Sequence, residues 1–208
     1  MTNARAEQRT KTRGRNPRGQ GERLRDDLIA ATLRLLDDLG DDQALSLRAV
    51  SREVGIAATS VYIHFADRDA LVAAALERFI DELLEELHAA GAGNPAQALR
   101  DKVMVFATLS SRHPGIYKVL HESTVNQRVQ LPRKAELARE SAAAVQRCMD
   151  EGVIPQGDAA MLALDLRAAI HGTVALRLTE PQLNWPPLED QVDRYIEKLV
   201  GLPASSES

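Results

Sequence analysis

The chain has 208 residues, enough to bury a proper core, and its 44% hydrophobic and 27% charged content is ordinary for a globular protein. Aromatics are only 3% while Ala and Leu, both strong helix formers, dominate, so composition points to an all-α fold. A single cysteine, Cys148, excludes an internal disulfide, the charged N-terminus lacks the apolar core of a secretory signal, and no segment is expected to reach the ~18 apolar residues of a membrane span, so a cytoplasmic chain without a membrane partner is the default expectation.

Residues 1–25 carry eight Lys or Arg against Glu7 and Glu22, a local charge of +6; with a total of −4, the rest of the chain holds −10. A basic arm on an acidic body fits a polyanionic partner engaged at one end. Residues 1–20 have almost no apolar side chain and are expected to be disordered. Leu24, Leu28, Ala31, Leu35 and Leu39 then recur at steps of three and four, the stripe of a helix over 22–39, which Gly40 ends. After a loop over 41–44, Ser46 is a side-chain cap for a helix over 47–54 with Leu47, Val50 and Val54 inward and Arg48 and Arg52 outward. Gly55 permits the positive φ of a tight turn, and a second short helix follows over 58–65, anchored by Ile56, Val61 and Phe65.

Asp67 caps a long helix over 68–89, apolar at Leu71, Val72, Ala75, Leu76, Phe79, Leu83 and Leu87. Asn94-Pro95 is a cap-then-first-turn signal for a helix over 95–111, and His113-Pro114 opens a short one to 121. The stretch 124–131 reads as a loop with room for a helical turn, and 132–151 as a helix closed by Gly152. The segment 158–178 is apolar on nearly all sides, so it is buried on more than one face. In so short a chain a second copy can cover the extra face; a central helix in a monomer is the competing explanation. Past Pro181, Pro186 and Pro187, a last helix over 188–200 carries Val192, Tyr195, Ile196 and Leu199 on one side. The expected organisation is a basic arm (1–20), a helix-turn-helix domain (21–68), a larger helical domain (69–202) and a disordered tail (203–208).

Two short helices about a Gly turn form a helix-turn-helix candidate. The second helix of such a pair enters the major groove, ~12 Å wide, only if its outer face is slim and polar. Ala58, Thr59 and Ser60 are small, Thr59 and Ser60 bring hydroxyls, and Tyr62 and His64 can donate to phosphates. Arg48 suits a bidentate contact to guanine. A hairpin packed in a core would seldom spend Thr, Ser, Tyr and His together.

The stretch LSLRAVSREVGIAATSVYIHFADRDALV closely resembles the N-terminal helix-turn-helix of the TetR family of bacterial regulators. The matching positions are Leu47-Arg48, Gly55, Thr59-Ser60, Tyr62-x-His64-Phe65, Arg68 and Leu71. The resemblance implies that Arg48, Thr59 and Ser60 contact base edges or nearby backbone and that Tyr62 and His64 grip phosphates; Ser46 and Ala58 join them as DNA-binding candidates, other members often carrying a larger base-reading residue at the Ala58 position. It also implies a phosphate contact at the head of the fourth helix through Arg68, where the family more often has Lys. HPGIY and HGTVALRL resemble parts of one ligand-domain subgroup, which implies a homodimer through 158–178 and 188–200.

The expected partners are double-stranded DNA with a palindromic operator, a second copy of the chain and a small-molecule effector. Phe106, Tyr117, His121, Cys148, Asp165 and His171 are the candidate effector contacts, polar or aromatic groups among apolar neighbours. No cofactor, metal or catalytic group is expected: His121-Glu122 lacks a second His ligand, and Gly91-x-Gly93 lacks its third glycine. Two alternatives remain open at this point, a helical enzyme or ligand carrier with a vestigial head, and a non-specific DNA binder, against which the acidic body argues.

Overall fold

The computed structural model describes residues 20–202, which form ten α-helices and, among the described residues, no strand. The expected basic arm and the tail over 203–208 lie outside the described residues, except Gln20, which opens the first helix. That helix, α1 (Gln20–Leu39), buries Leu28, Ile29, Ala31, Thr32 and Leu36. Its inward stripe is therefore turned slightly from the expected one, with Leu35 half-buried and Leu39 exposed. Thr32 donates to Leu28 O at 2.8 Å, so its hydroxyl enters the core already paired. Before α2 the expected loop holds one 3-10 turn, Asp42–Ala44.

α2 (Leu47–Val54) has the expected bounds, because both of its ends are set locally. Ser46 Oγ accepts from Ala49 N–H at 3.1 Å, and Gly55, at φ 76° and ψ 31°, closes the helix in the left-handed region. α3 (Ala58–Val61) is shorter than expected: its last turn continues to Phe65 as turn structure, with His64 N–H donating to Val61 O at 2.9 Å and Phe65 N–H to the same oxygen at 3.0 Å. Ala57 supplies no side-chain cap, and Thr59, Val61 and Ile63 are β-branched, so little in this segment favours a longer helix. α4 (Arg68–Ala90) is capped by Asp67, which accepts from Ala70 N–H at 2.7 Å.

The body follows as α5 (Pro95–Arg112), α6 (Pro114–His121), α7 (Val125–Arg128), α8 (Lys134–Asp150), α9 (Ala159–Thr179) and α10 (Leu188–Tyr195), the last running into a π turn over Ile196–Val200. α7 is the single turn the loop had room for, and α8 begins two residues later than expected. Asn94 caps α5 and Asp158 caps α9 through their side chains, as such residues do at helix heads.

The buried apolar residues fall into two clusters. One joins α1, α2 and α3 to the whole inward face of α4 and runs on to Leu109, Ile116, Val119, Leu120 and Val125, so the core passes along α4 from head to body without a gap. The other packs α5, α8, α9 and α10 around Leu99, Val103, Val145, Leu166, Ile170 and Ile196. Thr173, Gln191 and Tyr195 bond one another across α9 and α10 at 3.0–3.3 Å, and Arg177 stacks on Trp185 at 5.0 Å while donating to Gln191. That polar lock fixes α10 on α9.

α9 buries Ala163, Leu166, Ile170 and Val174, yet Met161, Leu164 and Leu176 stay 51%, 54% and 46% exposed. It is also long and apolar enough, by length and composition alone, to cross a membrane, with mean hydropathy 1.4 over its best window. The expectation that no segment reaches this level is thus corrected: Asp165, Arg167 and Arg177 are too few to offset its Ala and Leu content. One face of α9 packs in this fold and the other is left uncovered by its own chain.

Candidate functional site

The helix-turn-helix stands on a closed apolar seat of Leu28, Val50, Val61, Phe65 and Leu71. Arg25 covers the Phe65 ring at 5.1 Å, and Arg34 meets Glu53 at 3.4 Å, tying α1 to α2. With that side buried, the other is presented outward. Arg48, Thr59 and Tyr62 are exposed, Tyr62 at 60%, while Ala58, Ser60 and His64 are half-buried beside them. Ser46 is exposed with its oxygen engaged at the α2 head, which leaves its hydroxyl proton available. Ile63, absent from the sequence-based candidates, is the most exposed large apolar side chain here at 78%. Its place between Tyr62 and His64 was the available signal: a β-branched residue in a short helix that the core does not need.

Arg68, expected at a phosphate, is tied into the fold. Its half-buried guanidinium donates to Asp42 O at 2.8 Å and to Asp69 at 2.8 Å. Arg128 of α7 reaches the same two acids, pairing with Asp42 and meeting Asp69 at 3.2 Å. Asp42 is fully buried, and a buried carboxylate needs such partners. The Arg68 hydrogen bond holds the Asp69 carboxyl below its ordinary range, outweighing burial with help from Arg128. Arg68 is therefore a clasp between head and body, with its charge neutralised within the fold.

A second clasp joins α1 to α6. One Asp37 oxygen accepts from Gly115 N–H at 2.9 Å and Ile116 N–H at 3.1 Å; the other faces His113 Nδ1 at 3.0 Å. The two helices approach so closely that a Cβ on Gly115 would lie 1.9 Å from Asp37 O.

Behind α6 the body holds a cavity of about 320 Å³ walled by α4, α5, α6, α8 and α9. Of the six candidate contacts, Phe106, Tyr117, His121 and His171 line it. The last three gather in one corner, with ring centroids 4.7–5.5 Å apart and Tyr117 Oη 2.5 Å from His171 Nδ1. Burial pushes the Tyr117 phenol well above its ordinary pKa. Burial, then neighbouring His171 and the cations Lys134 and Arg167, push His121 down to about 3, so it is neutral at pH 7.

Two candidates are corrected. Asp165 faces solvent from α9, and Cys148 is buried in the α5–α8 packing with its thiol donating to Pro95 O at 3.4 Å. Neither lines the cavity. The cations that do, Lys102, Lys134 and Arg167, were missed from sequence. Arg167 had a readable signal, standing one helical turn before His171. Among the described residues no group of three or more His, Cys, Asp or Glu side chains converges as a metal site would.

Comparison with known proteins accounts for both halves. Residues 28–75 match the bacterial regulatory proteins of the tetR family, and residues 99–201 match the tetracyclin repressor-like C-terminal domain. The chain is 28% identical, over 159 residues, to an uncharacterized HTH-type transcriptional regulator of Mycobacterium tuberculosis, an alignment covering 74% of this chain and 70% of that one. A transcriptional regulator of Rhodococcus sp. RHA1 superimposes with TM-score 0.66 at 25% identity, over 85% of this chain and 96% of that one. FadR of Bacillus subtilis, solved in complex with stearoyl-CoA, shares the fold with TM-score 0.63 at 14% identity, over 84% of this chain and 97% of that one. The domains and relatives matched are regulators, not enzymes, which sets aside the helical-enzyme alternative. With one family matched across the DNA-reading head and the helical body alike, this chain belongs to the TetR family of bacterial transcriptional regulators.

Proposed function

We propose that the chain is a cytoplasmic homodimeric repressor, released from a palindromic operator when a small molecule enters the cavity. The observation that carries this reading is the double use of α6. Its later residues Tyr117, Leu120 and His121 wall the cavity, while its head, at Gly115 and Ile116, is bonded to Asp37 of α1. A ligand that displaces α6 therefore acts on the seat of the helix-turn-helix through two hydrogen bonds and a zero-clearance contact. Packed cores respond to such shifts by moving between discrete arrangements, and the ligand biases the equilibrium by its difference in affinity for the two.

Arg48, Thr59 and Ser60 read base edges in this account, Ala58 lets the backbone come close, and Tyr62, His64 and the Ser46 hydroxyl hold phosphates. Ile63 meets thymine methyls or sugar. The basic arm over 1–20 adds sequence-independent affinity by counterion release. Met161, Leu164 and Leu176 on α9, with α10 beside them, supply the apolar face on which two copies meet and so set the spacing of the two heads. FadR of Bacillus subtilis, crystallised with stearoyl-CoA, is a precedent for a ligand in this fold.

The test is a mobility shift on DNA flanking the gene with random DNA as competitor. A lost bidentate base contact is worth ~1–3 kcal/mol, so Arg48→Ala should weaken specific binding by about 10-fold or more while sparing non-specific binding. Unchanged operator affinity would remove Arg48 from the reading face, and no operator affinity in the natural chain would favour a ligand carrier with a vestigial head.

A further inference from the structure

The cavity carries a charge pattern that its shape does not require. Its lining includes no carboxylate but three cations, Lys102, Lys134 and Arg167. Lys102 is neutralised by Glu140, whose carboxyl burial pushes up and the Lys102 hydrogen bond, with further contributions from Lys102 and His88, pulls down further. The other two have no such partner. Lys134 Nζ spends two protons on neutral acceptors, Leu120 O at 2.8 Å and Asn126 Oδ1 at 3.0 Å, and keeps a third. Arg167 makes no ion pair or hydrogen bond among the described residues. Asp165, two positions before it, leaves the helix on another face, and Glu122 is exposed. Burial and then Arg167 lower the Lys134 pKa, so the two cations on this wall repel each other.

Half-buried cations without a counter-charge are costly, and the cost falls when an anion joins them. The rest of the wall is apolar, from Leu99, Val103, Phe106 and Leu166. His121, neutral and beside both cations, adds an uncharged ring nitrogen. We infer that the cavity takes an apolar molecule ending in a carboxylate, its charge seated between Lys134 and Arg167 and its body against Leu99, Val103 and Leu166. The inference rests on the proposed reading of the cavity as the effector site and names the chemical class of that effector. A cationic ligand would add a third positive charge to the pair, and a neutral one would leave both unpaired.

The experiment is calorimetric titration of the full-length protein at pH 7 with three probes of equal chain length, decanoate, decan-1-ol and decylamine, each below its aggregation threshold. Hydrogen bonds to charged groups are strong enough that decanoate should bind at least ~10-fold tighter than decan-1-ol, with decylamine weakest. Arg167→Gln should bring decanoate down to the affinity of decan-1-ol and leave decan-1-ol unchanged, while Arg167→Lys keeps the preference and shows that the fold tolerates change there. Equal affinity for decanoate and decan-1-ol, a preference that survives Arg167→Gln, or binding of none of the three overturns the carboxylate site. Failure of the effector reading itself is distinct: decanoate binds with the predicted preference, yet operator affinity measured on the same samples does not move.

Discussion

His121 shows how one side chain joins the cavity to the stability of the chain. Its imidazole is neutral when folded because burial, His171 and the two cations disfavour a charge; unfolded, it titrates near the ordinary 6.5. Its folded pKa is depressed, so between about 6.5 and 3 the unfolded chain binds a proton that the folded chain refuses, and stability falls as pH falls through that window. The slope approaches ~1.4 kcal/mol per pH unit, which makes the loss from pH 6.5 to 5 roughly 2 kcal/mol. Urea unfolding of the natural chain and His121→Gln at both pH values should show that difference vanish in the variant; the same acid sensitivity in both would remove His121 from the account. Residues like this were legible only in part. Tyr117, His121 and His171 stand out as polar groups in apolar segments, but so do Asp165 and Cys148, and only the first three reach the cavity. On a helix apolar all round, periodicity does not say which side is inward, so Asp165 could not be sorted from His171. The engagement of Arg68 was hidden for a different reason: Asp42, whose carbonyl accepts its hydrogen bond, stands 26 positions away, beyond any local pattern.

Among the elements, α6 carries the most in the fewest residues. Its head is pressed against α1, its tail walls the cavity, and Gly115 is the residue that allows both. A side chain there has no room, since the obstruction is Asp37 backbone rather than a movable side chain. Gly115→Ala should cost about 1–3 kcal/mol or more, lowering Tm by roughly 2–10 °C in thermal unfolding. An unchanged Tm would mean that α1 and α6 are not in close contact. Most element boundaries were readable because their causes are local: Ser46, Asp67, Asn94 and Asp158 all cap the helices they precede. α3 and the π turn after α10 were not, because a short helix followed by turns and a widened last turn depend on what the rest of the fold packs against them. The tightness of the α1–α6 contact was invisible too. HPGIY reads as a helix start, and nothing in those five letters names Asp37 as the neighbour.

At the scale of the whole molecule, the head, α4 and the cavity share one continuous core, and the unfinished surface lies on α9. The apolar excess of 158–178 was plain from sequence; which part of it stays uncovered needed the packing of α5, α8 and α10 to be known. In the proposed dimer that surface fixes the distance between the two reading heads, so operator recognition and self-association stand or fall together. Met161→Glu with Leu176→Glu places charges on the exposed face without touching the cavity wall, and it is the variant that separates one head from two. The central claim is a two-headed reading of DNA, and nuclease footprinting on the DNA flanking the gene tests it most directly. The natural chain should protect two half-sites related by two-fold symmetry and set one or more helical turns apart, about 34–36 Å per turn, and the double variant should lose both together. A single protected half-site that survives in the double variant, or uniform protection without sequence preference, would contradict the account.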